Sequence, residues 1–81
     1  MHEVSIIYDT IEIVKEACKV NHIKKVNKIF IKVGEFSCAE EGCLKFAFDT
    51  LSKDTLCEGA ELIVEKSKEV YGLIVHSIEG D

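Results

Sequence analysis

The residues with the clearest chemistry in this 81-residue chain stand at its start, Met1-His2-Glu3. A free Met1 amine, the amide nitrogen of His2 and the His2 imidazole form a continuous chelate along the backbone, and the Glu3 amide nitrogen can supply a fourth donor. Late first-row ions, Ni(II) and Cu(II) above all, accept such nitrogen sets in square-planar sites and can displace amide protons. Where a helix begins at these residues, its first N–H groups have no intrahelical acceptor and stay available. The positive helix end repels a cation, but deprotonated amides reverse that local charge. A histidine near any N-terminus binds nickel weakly, so the motif alone names a candidate and not a function.

Other chemistry is thinner. His22 falls at a helix end and reads as a surface residue; His76 falls in a strand and reads as packed or exposed without a role. The glycines are scattered and form no phosphate loop. No serine sits in triad grammar, and no local signature supports a Cys–His nucleophile. The cysteines Cys18, Cys38, Cys43 and Cys57 contain no C-x-x-C pair, so no structural zinc knuckle is read from them. The spacing of Cys38 and Cys43 does not put two thiols on one helix face. Free thiols in a reducing cytosol are the plain reading, with a redox or metal role for Cys38 and Cys43 as the rival.

Length and composition bound these options. The chain suffices for one domain. It is 47% hydrophobic and 31% charged, enough for a core and against disorder. No run reaches the roughly 20 apolar residues that span a bilayer. The first ten residues lack the basic region and cleavage site of a secretory signal, so a cytoplasmic location and no membrane contact are expected. The net charge is −5, and the only dense basic stretch, His22 to Lys28, reads as a solvated turn. Nucleic acid is not an expected partner.

The elements that must position the N-terminal residues follow from periodicity. Val4, Ile7, Ile11, Val14 and Cys18 recur at helical spacing, widened by Ile6, Ile13, Ala17 and Val20, and predict a helix from about Glu3 to about Val20. Ile29, Ile31 and Val33 alternate with lysines and predict a strand that Gly34 ends or bends. Ser37 as N-cap with Glu40 in the capping-box position starts a second helix, whose core stripe is Leu44, Ala47, Phe48 and Leu51, with Cys43 and Phe46 beside it. Ser52 to Glu58 reads as a polar close. AELIVEK and VYGLIVHSIEG predict two strands, with Ile78 on the side of Ile74 and His76; only Ser67, Lys68 and Glu69 lie between them, a length that fits a hairpin. The expected fold is a two-layer α+β domain of order α-β-α-β-β, two helices packed on one face of a three-stranded antiparallel or mixed sheet.

Read in order, MHEVSI, VGEFSCAEEGCLKFAFDTL, EGAELIVEK and SIEGD resemble the nickel metallochaperone family HypA/HybF over almost the whole chain. The resemblance implies a single nickel-binding αβ domain over residues 1–81 that carries Ni(II) for nickel–iron hydrogenase maturation, and in some bacteria urease, without catalysis. It carries His2 over as nickel ligand, with the Met1 amine and the backbone nitrogens of His2 and Glu3 as co-ligands; the Glu3 carboxylate tunes the site or a partner contact. The partners it implies are a maturation GTPase and the hydrogenase large-subunit precursor. The family inserts a zinc module with two C-x-x-C pairs before the last strand, whereas only Ser67, Lys68 and Glu69 stand between Lys66 and Val70 here. No zinc is expected, and the αβ core is expected to fold without it. A tight hinge before the last strand makes a domain-swapped homo-oligomer a further expectation. Two rivals stand beside the carrier: a metal-free scaffold that docks on the GTPase, and a small thiol redox protein.

Overall fold

The first apolar stripe forms helix α1 (Glu3–Asn21), with Ile7, Ile11, Val14 and Cys18 buried at the spacing of one helix face. The computed structural model describes residues 3–35 and 40–81, Glu3 through its backbone alone. The buried face is narrower than the sequence suggests, because Val4, Ile13 and Val20 stand exposed on its flanks. Thr10 is buried among apolar neighbours and satisfies its hydroxyl within the helix, donating to the Ile6 carbonyl at 2.8 Å. The helix ends at His22, whose φ of 59° is left-handed, and the Ile23 amide reaches back to the Cys18 carbonyl at 2.9 Å. That six-to-one bond with a left-handed residue before it is a Schellman closure.

Strand β1 (Val26–Gly34) runs through the centre of the sheet and buries Ile29, Ile31 and Val33. Helix α2 (Glu41–Leu51) packs Leu44, Ala47 and Phe48 inward. Its N-cap is Glu40 in extended conformation with no side-chain cap bond, and the Leu44 amide closes the first turn on the Glu40 carbonyl at 2.9 Å. Glu40 therefore caps the helix instead of occupying the third helical position; Ser37, the expected cap, lies outside the described residues. The segment that follows is less polar than expected. Cys57 is fully buried and Ser52 and Ala60 nearly so, in a run of turns where Thr55 accepts from the Cys57 amide at 3.0 Å.

Strands β2 (Glu61–Ser67) and β3 (Leu73–Gly80) complete the domain, and the sheet order is β2-β1-β3. β2 pairs parallel to β1 and β3 antiparallel to it, so the sheet is mixed. The expected hairpin does not form: β2 and β3 sit on opposite edges, and residues 68–72 cross the end of β1. Two strand spacings are about 10 Å, within easy reach of such a segment. The crossing is tied down by the Gly34 amide on the Gly72 carbonyl at 2.8 Å and the Glu35 amide on the Ser67 carbonyl at 2.9 Å. β1 takes the centre because it carries the most completely buried face.

Two irregularities in the β1–β3 ladder reassign residues between faces. Register shifts fall between Val26 and Lys28 and between Phe30 and Ile31. The first lets Val26 share the buried face with Ile29. The second leaves His76 as the extra residue, so Ile78 faces Ile29 on the core side with Leu73 and Val75, and not with Ile74 as strict alternation would have it. Both helices cover this side, α1 against β3 and α2 against β2. The other face stays open and carries rows such as Glu61–Lys28–Glu79 and Glu65–Lys32–Ile74.

Candidate metal site

Met1 and His2 lie outside the described residues, as does the Glu3 side chain, so what the fold contributes to the chelate is its frame. Glu3 opens α1, which makes its amide one of the first helical N–H groups and leaves it without an intrahelical acceptor. Ile7, fully buried, anchors the first turn of that helix on the core. Val4, the next residue after the motif, is 57% exposed and borders a groove of about 450 Å³ between the start of α1 and helix α2. The lining is mostly apolar, from Cys43, Phe46, Ala47 and Leu51, with Glu40 on its edge. Sequence patterning placed Phe46 beside the core stripe; at 75% exposed it stands outside the core. The groove went unread because it depends on the spacing of two helices, a long-range quantity that periodicity within one helix does not contain.

The remaining candidates are dispersed. Among the described residues no three His, Cys, Asp or Glu side chains converge as a metal cluster. His22 serves as the left-handed cap of α1, and His76 is exposed at the β3 irregularity. Cys18 and Cys57 are buried and free, and burial pushes both thiols up from their ordinary value of 9.0, with the neighbouring Cys18 raising Cys57 further. That is the opposite of an activated nucleophile. Cys43 is exposed at the groove, while Cys38 lies outside the described residues. The basic stretch does not form a phosphate-binding patch: Lys25 donates to the Glu58 carbonyl, and Lys28 lies between Glu61 and Glu79 across the sheet. No described helix is long and apolar enough to cross a membrane.

Comparison with known proteins places this architecture. A family model described as hydrogenase/urease nickel incorporation, metallochaperone, hypA matches residues 1–71, ending within the β2–β3 crossing. The hydrogenase maturation factor HypA of Actinobacillus succinogenes is 42% identical over 62 residues, covering 76% of this chain and 55% of that protein. HypA of Psychromonas ingrahamii is 40% identical over 65 residues, covering 80% of this chain and 57% of that protein. The chain thus spans just over half the length of these relatives. The solution structure of the Ni metallochaperone HypA from Helicobacter pylori superposes with a TM-score of 0.87 over 99% of this chain and 97% of that one; at 19% identity this likeness speaks for the fold. The chain belongs to the HypA family of hydrogenase/urease nickel-incorporation metallochaperones.

Proposed function

We propose that this chain is a non-catalytic nickel carrier of the cytoplasm that takes Ni(II) at its N-terminus and passes it into hydrogenase, or urease, maturation. The observation that carries the reading is the family match over residues 1–71, which includes the Met1-His2-Glu3 start. The Met1 amine, the His2 imidazole and the backbone nitrogens of His2 and Glu3 are the ligand set. The Glu3 carboxylate stays off the metal and sets local charge. A maturation GTPase and the hydrogenase large-subunit precursor are the partners. We expect the chain to fold without zinc, and the apolar packing of the two helices on the sheet supports this.

The chemistry sets expectations for affinity and pH. A carrier must release its ion, so the dissociation constant is on the order of micromolar, about 8 kcal/mol. An α-amino group titrates at about 7.7–8.0 and an imidazole at about 6.5 in water, and both must lose their protons to bind. Affinity therefore falls as pH drops through neutrality. Calorimetric titration of nickel into the untagged chain, its mass checked for a free Met1 amine, is the test. His2→Ala and N-terminal acetylation are each expected to abolish the binding; heat unchanged in either sinks the assignment.

The exposed apolar groove beside Val4 favours a second element of function: the same domain also presents a docking surface. A scaffold that docks without ever taking nickel is the alternative. Nickel uptake by the wild-type chain decides against it.

A further inference from the structure

We propose that the outer edge of β3 takes one further strand, an extended segment of another protein with aliphatic residues at alternate positions, seated beneath the outer flank of α1. The inference does not depend on the nickel assignment. It begins with residues that the core leaves unused. Ile6, Ile13, Ala17 and Val20 fall on one side of α1, yet Ile13 is 54% and Val20 67% exposed, and Ile6 and Ala17 are half-buried. Ile13 stands nine residues after Val4, about two and a half turns, so this flank points away from the side that meets α2. Ile6 and Ile13 share a concavity of about 170 Å³ with Gly72 and Leu73 at the start of β3, which puts the flank at the edge of the sheet. α1 and β3 run side by side in one direction: Ile6 and Leu73 border that concavity at one end, and Ile23, just past the helix, lies against Gly80 at the other.

The widths of the two layers leave room for a strand. A helix is about 10 Å across and strands lie about 4.8 Å apart, so two helices cover about four strands, and this sheet has three. α2 packs on the β2 side and α1 on the β3 side, so the apolar flank of α1 overhangs the place of a fourth strand beyond β3. Among the described residues no strand pairs with that edge. It is also the less guarded edge of the sheet. β2 carries Glu61, Glu65 and Lys66, whereas β3 carries Glu79 alone besides His76 at its irregularity. An added strand gains main-chain hydrogen bonds along such an edge, and its alternate side chains meet what lies above it. Here those side chains cover Ile13 and Val20, which packing within the chain does not use.

A second copy of this chain is the wrong occupant. Pairing β3 with its twin would set the two α1 axes about one strand spacing apart, about 4.8 Å, and packed helices need about 8–10 Å. The occupant therefore brings a strand without a helix above it. Asp9 at the concavity, Glu79 on the strand and a net charge of −5 make lysine or arginine the suited polar residue between the aliphatic ones.

The test uses the nickel-free chain and a synthetic peptide of alternating valine and lysine, long enough to run the length of β3, beside the same peptide with its backbone amides methylated. The first peptide is expected to shift the amide NMR signals of Leu73–Gly80, Ile13 and Val20 and to slow hydrogen exchange along β3. The methylated peptide should not bind, since it cannot donate to the edge. Ile13→Ser with Val20→Ser should weaken binding at least about tenfold; both side chains are more than half exposed, so thermal denaturation is expected to show the variant folded. No binding at about 1 mM peptide, equal binding of the methylated peptide, indifference to the double variant, or shifts centred on Phe46 or on Phe30 overturns the proposal. So does protection of β3 that rises with protein concentration without peptide, which would assign the edge to a second copy.

Discussion

A methyl group added at Gly34 would meet the Val70 carbonyl oxygen at 2.6 Å, a backbone atom held in the crossing that links β2 to β3. Among the described residues, a methyl group added at Gly42 would meet nothing nearer than the Glu40 carboxylate at 3.4 Å, the far end of a flexible side chain. The two glycines therefore respond oppositely to alanine. Gly34→Ala should cost about 1–3 kcal/mol through overpacking. Gly42→Ala, in the first turn of α2, should gain up to about 0.5–1 kcal/mol of helix stability. A raised urea midpoint in Gly34→Ala, or a lowered one in Gly42→Ala, would contradict the assignment made for that glycine. The buried thiols supply a pH prediction. Burial, and then the neighbouring Cys18, raise the Cys57 thiol above 9.0 in the folded chain. The unfolded chain gives up that proton first. The stabilising contribution is therefore complete below about pH 9 and is lost as pH rises through the higher folded value. Cys57→Ala should start less stable, from the lost packing, yet decline less steeply between pH 8 and 10.5. A parallel decline in thermal denaturation would show that Cys57 has no part in it.

At the scale of elements, the parts that local pattern controls were readable and the parts set by pairing were not. The α1 stripe, the buried alternation of Ile29, Ile31 and Val33, and the α2 stripe each rest on a periodicity within one segment. The placement of Ile78 rests on an irregularity opposite Phe30 and Ile31, which exists only once β3 lies against β1. The hairpin expectation failed for the same reason: the length of a link shows what it can join and not which edge its strands choose. The candidate site divides likewise. The proposed donors stand in three consecutive residues, whereas the groove at Val4 needed two helices in place. The crossing itself yields a prediction. Tyr71 is 99% exposed at its tip, while the anchoring hydrogen bonds are on Ser67 and Gly72. Inserting six Gly and Ser residues after Tyr71 should cost about 1 kcal/mol or less, since loop-closure entropy grows only logarithmically. At about 4–8 °C per kcal/mol for a domain of this size, Tm should fall by less than about 8 °C. A larger fall would mean that this segment is part of the packed structure and not a tolerant junction.

For the whole molecule, the question is whether nickel binding and folding are coupled. The proposed ligands are contiguous, so an unfolded chain carries the same amine, imidazole and amides. A ligand that binds both states equally stabilises neither; one that binds the native state alone adds about 2.7 kcal/mol at a concentration 100 times its dissociation constant. That value corresponds to a rise of roughly 10–20 °C. The fold offers the chelate two small and opposed effects. The start of α1 at Glu3 leaves that amide without an intrahelical acceptor, and the positive end of the helix disfavours the cation. Saturating nickel should therefore move Tm by no more than a few degrees in either direction, although calorimetry shows it bound. A rise of 10 °C or more would mean that a side chain beyond Glu3, supplied by the folded domain, completes the coordination. The small shift expected instead means that the αβ core is not there to tighten the grip on the ion.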